Sequence, residues 1–385
     1  MIVLTIIAAI GVVISVSYYI AASLAAMRFA LRAASPVPPL PKIPPRVAIM
    51  KPLRGMTDRL AANLMSFLEV NYPRAEYVFG VASYEDPAVE VAAMLKPQYR
   101  FAPVAIVVGE EPVCANRKVA KLIRMSGKAE RADVFVISDA DISVERDYLR
   151  RIIGELYSED DIGVVTCLYR ARPHSGLSSR LEALSINTDF APMVMLSSVI
   201  EPIRYALGAT MAIRRSAVED IGGLRAIKDL LADDFFLGRL ATDKGWKVRL
   251  SSSLVTLVPD ERSFEDFWNR QLRWARTYRT TRPASIATIV THGPFWAILL
   301  MLGMGLHPWP IAIFLGVIGL RLGMAALLLR YVLKLPELTR ETWLVPFKDL
   351  FMTGVWFASL VSNEVKWRGR RLKILADGRI QEVIG

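Results

Sequence analysis

The chain reads as an α/β domain built on a mostly parallel mixed sheet and joined to transmembrane helices. Three observations carry that reading. Between residues 47 and 250, short apolar runs alternate with amphipathic stretches, the pattern of repeated β-α-β units. Residues 2–27 hold no charged side chain and exceed the ~20 residues a bilayer-crossing helix needs. Of the 385 residues, 53% are hydrophobic, and the mean hydropathy is +0.33, too apolar for an ordinary soluble enzyme.

The first segment, 1–29, is expected to be a membrane anchor. A cleaved signal peptide is the rival, favoured by the small residues of 21–26. No basic stretch precedes the apolar one, however, while Arg28, Arg32, Lys42 and Arg46 follow it. By the positive-inside rule those charges keep the next domain in the cytoplasm. A short Pro-rich linker, 30–45, leads into a cytoplasmic catalytic segment, 46–260.

The apolar run 47–50 ends at Lys51-Pro52-Leu53-Arg54-Gly55, where two cations and a glycine between strand and helix suit an anion. Thr57 is the expected N-cap of a helix to about residue 70. The run 77–82 ends at Ser83-Tyr84-Glu85-Asp86-Pro87, with Asp86 able to hydrogen-bond a base or ribose and Pro87 opening the next helix. After the run 104–108 comes Asn116-Arg117-Lys118-Val119-Ala120-Lys121. Its cations can face phosphate or form a solvated helix face, and for such a run alone the solvated face is the commoner outcome.

The next strand, Val134-Phe135-Val136-Ile137-Ser138, runs straight into Asp139-Ala140-Asp141. Open α/β sheets bind ligands at the carboxyl ends of their strands. The chain turns there, so both carboxylates can converge on one hard divalent cation and its phosphate ligands. Asp is also a common turn-former, so the motif does not decide alone. Beyond 164–168 the pattern loosens, and 170–204 yields no secure elements. It recovers at 206–213 and at Leu231-Ala232-Asp233-Asp234-Phe235-Phe236-Leu237. A carboxylate facing an apolar shell there has a raised pKa and suits a general base; the plainer reading is a helix N-terminal acid favoured by the macrodipole.

Across 263–280, Phe264, Phe267, Trp268, Leu272, Ala275 and Tyr278 recur near helical spacing, with Arg270, Arg273, Arg276 and Arg279 interleaved. Such a basic aromatic helix, within a region 261–292, suits an anionic membrane surface; its apolar neighbours argue against nucleic acid. The segment 293–363 contains apolar stretches at 295–306, 311–329 and 344–361. The first is too short to span untilted and the last contains Lys348 and Asp349, so either can be re-entrant or interfacial. A basic tail, 364–385, argues for a cytoplasmic C-terminus and a multi-pass protein, in a bacterial inner membrane. The net charge of +11 fits nucleic acid, anionic lipid or an anionic substrate, and position has to separate these. Cys114 and Cys167, with His174, His292 and His307, supply neither a disulfide framework nor zinc-ligand spacing, which leaves little for thiol or Ser-His-Asp chemistry.

Taken together, the chain resembles the membrane-bound family 2-like glycosyltransferases, and most closely the ceramide glucosyltransferase group with its bacterial hopanoid-biosynthesis relatives. The matching residues are Lys51-Pro52-Leu53-Arg54-Gly55, Tyr72-Pro73, Asp86-Pro87-Ala88, Asp139-Ala140-Asp141, Gly222-Gly223-Leu224, Ala232-Asp233-Asp234-Phe235-Phe236, Arg270-Gln271-Leu272-Arg273-Trp274 and Trp367-Arg368-Gly369-Arg370. The resemblance implies a GT-A type, Rossmann-like domain for nucleotide-diphospho-sugars. It implies that Asp86 contacts the nucleotide and that Asp139 and Asp141 bind a divalent cation, Mg2+ or Mn2+, and the diphosphate. Asp234 would be the base, and Arg270, Arg273 and Trp274 would close on donor and acceptor. Lys51, Pro52, Lys118 and Asp233 complete the candidate donor-binding set. Two details differ within the group. Asp233-Asp234 replaces the more usual Glu-Asp, and Arg270 stands where processive polysaccharide synthases carry Gln.

The implied reaction is one inverting transfer of glucose or N-acetylglucosamine from a UDP-sugar to a hydroxyl of a membrane lipid, ceramide or a hopanoid polyol. Its rivals are a processive synthase, which needs more membrane helices than follow Pro294, an inactive membrane scaffold, and a metal-dependent phosphohydrolase. No nucleic acid is expected as a partner, and the sequence identifies no protein partner.

Overall fold

Every residue of β1 (Val47–Pro52) is buried, as a strand covered on both faces must be, and an eight-stranded sheet is assembled around it. The computed structural model describes residues 2–99, 102–259, 263–367 and 369–383. The elements before the acidic strand are α1 (Ile2–Ala33), β1, α2 (Leu60–Leu68), β2 (Ala75–Val81), α3 (Ala88–Leu95), β3 (Val104–Val108) and α4 (Arg117–Lys128). Then come β4 (Val134–Ser138), β5 (Ile142–Ser143), α5 (Tyr148–Leu156), β6 (Ile162–Ala171), α6 (Gly176–Ser185), a π-helical turn (Ile186–Phe190) and α7 (Ala191–Ile200). The sheet is completed through β7 (Thr210–Arg214), α8 (Arg215–Asp220), α9 (Asp233–Asp243) and β8 (Lys247–Leu257). After it follow α10 (Phe264–Thr281), α11 (Gly293–Met304), α12 (Pro308–Leu327), α13 (Val345–Val361) and a three-stranded sheet of β9 (Glu364–Trp367), β10 (Arg370–Ile374) and β11 (Ile380–Glu382).

The large sheet has the order β3-β2-β1-β4-β7-β6-β8-β5. β1 pairs in parallel with β2 and β4, and β2 with β3, while β7 is antiparallel to both β4 and β6. The mixed α/β sheet is therefore as expected, but parallel pairing runs through β3-β2-β1-β4, and the pairs β4-β7, β7-β6 and β8-β5 are antiparallel. The carboxyl ends of β1, β2 and β4 lie side by side at one edge, which is where the motif residues were placed by sequence.

The chain clusters into two units: a sheet unit of Ala33–Arg170 with Glu201–Asp260, and an apolar unit of Met1–Arg32, Ala171–Ile200 and Glu261–Gly385. The segment 46–260, expected as one stretch, is thus divided, with Ala171–Ile200 going to the apolar unit.

In the sheet unit, α2 starts later than Thr57. Its apolar stripe begins at Leu60 and continues at Leu64, Phe67 and Leu68, so burial fixes the helix from Leu60 onward. Thr57 contributes only its carbonyl, which accepts from Leu60 N–H at 3.1 Å. The run from Asn116 does not form a solvated face either. Lys118 and Lys121 are both buried, and Lys121 Nζ donates to the Leu53 carbonyl at 2.9 Å.

In the apolar unit, α1 buries Ala8, Gly11, Val12, Ser15, Tyr19, Ala22, Ala25, Ala26 and Phe29, one stripe of mostly small residues that lets neighbours come close. At Gly11 a Cβ would lie 2.3 Å from the Trp296 ring, so only glycine fits. Among the described residues, four helical stretches are long and apolar enough to cross a membrane: Ile2–Ala33, Gly176–Ile200, Pro308–Val332 and Pro336–Val361. A fifth candidate, Pro283–Thr291 with Gly293–Met304, is bent by 62°. The Gly176–Ile200 stretch was not recognised in sequence, because polar Ser, Glu, Asn, Thr and Asp break its hydropathy. Length alone does not make it a crossing. The chain enters it after β6 and goes on from it to β7, which pairs with β6.

Those polar residues have partners within the unit. Asp189 accepts from Lys348 Nζ and Arg321 Nη2, each at 2.5 Å. Asp349 accepts from Lys348 Nζ at 2.6 Å and Arg321 Nε at 2.8 Å. The tail 364–385 is not a free basic strand. Val365, Leu372, Ile374 and Ile380 are buried in alternation, and β9 and β10 pair antiparallel through Arg370↔Trp367, closing a tight turn at Gly369, whose φ is +81°. Arg368 of that motif lies outside the described residues.

A candidate active site at the ends of β1, β2 and β4

The end of β4 is held from three sides. Asp139 N–H donates to the Ala209 carbonyl at 3.1 Å, Ser138 Oγ to the same oxygen at 3.0 Å, and Asn63 Nδ2 to the Ala140 carbonyl at 3.2 Å. Beneath it lies Lys51, fully buried, with Nζ donating to the Asp139 carbonyl at 2.8 Å and the Ile142 carbonyl at 3.3 Å. The same ammonium sits 3.8 Å from the centre of the Phe67 ring. Lys51 therefore does not face a bound anion, as its place in a cationic loop suggested. It braces the backbone that carries the two acids, and burial pulls its pKa down to about 7 against the opposing charges of Asp141 and Asp139.

The cation that does meet the carboxylates is Lys118. Asn116 caps α4 by accepting from Lys118 N–H at 2.9 Å and Val119 N–H at 3.3 Å. Its Nδ2 donates to the Leu230 carbonyl at 2.8 Å, tying α4 to the loop before α9. Lys118 Nζ then lies 2.9 Å from Asp139 Oδ1 and 3.1 Å from Asp233 Oδ2. Burial opposes its charge, but Asp139, Asp233 and Asp234 outweigh that and hold the ammonium above the ordinary lysine range. Sequence alone favoured a solvated Lys118. Nothing local in the run reveals that acids from β4 and α9 converge on it.

Asp234, in the first turn of α9, accepts from Phe235 N–H through Oδ1 at 2.8 Å. Its Oδ2 faces Gly208. A Cβ on Gly208 would stand 2.8 Å from Asp234 Oδ2 and 3.8 Å from Asp139 Oδ2, so the missing side chain opens a cradle onto which both carboxylates converge. Gly208 was not picked out as a site residue; its position in the loop entering a buried strand was the available signal. Burial first, and then the charge of Asp233, push the Asp234 carboxyl up to about 6, while Lys118 and the Phe235 N–H pull the other way. Phe235 stacks with Tyr205 at 6.2 Å and meets Phe236 edge-on at 5.2 Å, giving Asp234 an aromatic border.

Asp86 accepts from Gly55 N–H at 2.8 Å and Ala88 N–H at 3.0 Å, both through Oδ1. It joins the loop after β1 to the start of α3. Pro52 closes β1 and is buried. Asp141 is partly buried beside the Asp139 turn. The structure brings Lys51, Lys118, Asp139, Asp233 and Asp234 into one connected network. Arg270, Arg273 and Trp274 belong to α10 in the apolar unit: Arg270 pairs with Glu182 at 2.5 Å, Arg273 lies 6.0 Å from the Trp367 ring, and Trp274 is half-buried.

Among the described residues no ready cage of three or more His, Cys, Asp or Glu is formed. The donor set nevertheless suits a hard divalent ion of the Mg2+ or Mn2+ kind, which commonly takes one or two carboxylates and completes its shell with phosphate oxygens and water. Asp139 turns Oδ1 to Lys118 and Oδ2 to the Gly208 cradle, and its side chain is 39% exposed.

A sequence model of glycosyl transferase family 21 matches residues 3–380. The chain belongs to that family. It is 23% identical over 352 residues to ceramide glucosyltransferase 1 of Caenorhabditis elegans, covering 88% of this chain and 73% of that one. Against ceramide glucosyltransferase 3 of the same organism the identity is 24% over 232 residues, 60% of this chain and 50% of the relative. The fold is like that of the mannosyltransferase PcManGT from Pyrobaculum calidifontis, solved with GDP-Man and Mn2+. The TM-score is 0.52 at 17% identity, covering 92% of this chain and 99% of that one. This family 21 chain is accordingly a glycosyltransferase with a GT-A type fold.

Proposed function

We propose that this glycosyltransferase moves one sugar, glucose or N-acetylglucosamine, from a UDP-sugar to a hydroxyl of a membrane lipid, with inversion at the anomeric carbon. The observation that carries the reading is the convergence of Asp234 and Asp139 over Gly208, with Lys118 held between Asp139 and Asp233. Inverting transfer needs a base on one face of the anomeric carbon and charge compensation at the leaving diphosphate on the other. Asp234, with its pKa raised to about 6, is ionised at neutral pH yet basic enough to take the acceptor proton. Asp233 and Lys118 orient the acid edge. A divalent cation held by Asp139 and Asp141 would supply Lewis-acid neutralisation of the departing diphosphate.

The relatives' names support a lipid acceptor, and ceramide and a hopanoid polyol are the two candidates the resemblance brings. Asp86 is assigned to the nucleotide, and Arg273 and Trp274 to donor and acceptor, on that resemblance. The apolar helices support a membrane protein. The basic residues Arg28, Arg32, Lys42 and Arg46 support a catalytic segment facing the cytoplasm, where nucleotide sugars are made.

The test is incubation of membranes carrying the protein with labelled UDP-glucose and UDP-N-acetylglucosamine, followed by mass spectrometry of the labelled lipid and NMR of its linkage. The expected product carries a single β-linked sugar. Free sugar released without acceptor would make the enzyme a hydrolase, a polymer would make it a processive synthase, and an α-linkage would remove the inverting mechanism.

A further inference from the structure

Glu182 of α6 is 3% exposed at its side chain, and its Oε1 accepts from Arg270 Nη1 of α10 at 2.5 Å, with Arg270 only 13% exposed. Neither charge has bulk water to fall back on, so each is compensated by the other. Breaking such a pair from one side leaves a buried charge alone, which costs far more than removing both. Seven residues further along the same helical stretch, Asp189 accepts from Arg321 and Lys348. Asp189 lies in the π-helical turn Ile186–Phe190, where the winding departs from the α-helical period, so it need not share Glu182's face. The stretch delivers one acid to α10 and another to α12 and α13, an ionic strut fixed at two points.

Arg270 opens the Arg-Gln-Leu-Arg-Trp motif, and Gln271 beside it is also buried. We propose that Arg270 serves transfer by positioning and not by touching the donor. Its ion pair with Glu182 fixes the rotation of α10, and Glu182 is thereby a positioning residue for the Arg273-Trp274 half of the motif. This rests on the reading of the chain as a sugar-to-lipid transferase. It also supplies a physical reason for arginine at a position where processive synthases carry glutamine. A neutral amide opposite Glu182 would leave a buried carboxylate uncompensated.

The experiment is a double-mutant cycle on the full-length protein in lipid nanodiscs: Glu182→Gln, Arg270→Gln, the two together, and Arg270→Lys. Turnover, donor KM and melting temperature are read for each, with rates taken well below the lowest melting temperature. Each single glutamine variant is expected to lower kcat by about 10-fold or more with donor KM within about 2-fold of the parent. The double variant should recover to within about 3-fold of it, since no charge remains unpaired. Arg270→Lys should keep most of the turnover. An increase of about 10-fold in donor KM for Arg270→Gln, or a double variant as slow as Arg270→Gln alone, would assign Arg270 to the donor and overturn the proposal. If the parent protein transfers sugar to no lipid, the functional reading fails instead. The cycle in melting temperature still tests the pair, and additive losses there would refute it.

Discussion

Two buried ionic clusters, one in each unit, use the same residue types and differ in balance. In the apolar unit Arg321 and Lys348 face Asp189 and Asp349, two cations to two acids, and Arg321, Lys348 and Asp349 are exposed by 3%, 0% and 6%. In the sheet unit Lys118 is ion-paired with both Asp139 and Asp233, the charge of Asp234 also acts on it, Lys51 donates to the backbone of the Asp139 turn, and Asp139 stays 39% exposed. The first cluster is balanced in charge, with Asp189 alone of its four members reaching the surface at 33% exposure, so it ties apolar helices together and calls for no further ion. The second carries an excess of negative charge at an open strand end, which is a place for a cation and the phosphates it accompanies. Buried charge alone does not mark chemistry. Unbalanced charge beside an opening does.

The sharpest way to break that contrast is to remove one acid from each cluster. Asp139→Asn should lower transfer by at least ~10³-fold, the order expected for several kcal/mol of lost charge stabilisation, with melting little changed. EDTA should have a comparable effect, reversed by Mg2+ or Mn2+; full activity in either case would remove the metal from the mechanism. Asp349→Asn should do the opposite. It leaves an excess cation buried and should destabilise the protein by about 3–5 kcal/mol, read as a marked fall in melting temperature, while the surviving folded fraction keeps its donor affinity. Equal destabilisation by the two variants would mean the clusters do the same job. Asp234→Asn should follow, with a loss of at least ~10² in kcat and little change in donor binding, because a general base acts in the transition state. Loss of UDP-sugar binding in that variant would move the base elsewhere.

Much of the sheet unit was legible because local patterns coincide with tertiary roles. The run 134–138 is the central strand it resembles, and the acids after it lie where parallel strands end. What failed were assignments in which a partner distant in sequence decides the outcome. Lys51 sits in a cationic loop that looks made for an anion, but carbonyls 88 and 91 residues away claim its ammonium. Lys118 looks solvated until β4 and α9 are folded against α4. In the apolar unit, Gly176–Ile200 was illegible because Glu182 and Asp189 interrupt its hydropathy, and only the folded unit supplies Arg270, Arg321 and Lys348 to neutralise them. The tail is basic, six cations against three acids, but its sequence did not show that Arg370 and Arg371 pair across strands with Glu382 and Glu364.

The smallest expected effect sharpens the comparison most, since it reads the imbalance of the acidic cluster directly. Asp234 must be ionised to accept a proton, and with its pKa near 6 the acid limb of kcat/KM should fall as pH drops through about 6. Burial and the charge of Asp233 both push that value up, whereas Lys118 pulls it down. Asp233→Asn removes an upward push and leaves Lys118 to Asp139 and Asp234. The limb should therefore move to lower pH, with turnover on the plateau reduced by only about 10-fold, as suits an orienting residue. A divalent cation near Asp139 shifts the limb the same way, so the two profiles are compared at one metal concentration. Movement of the limb to higher pH, or none at all, would mean that Asp234 is not the group being titrated, and a plateau loss larger than that of Asp234→Asn would make Asp233 the base.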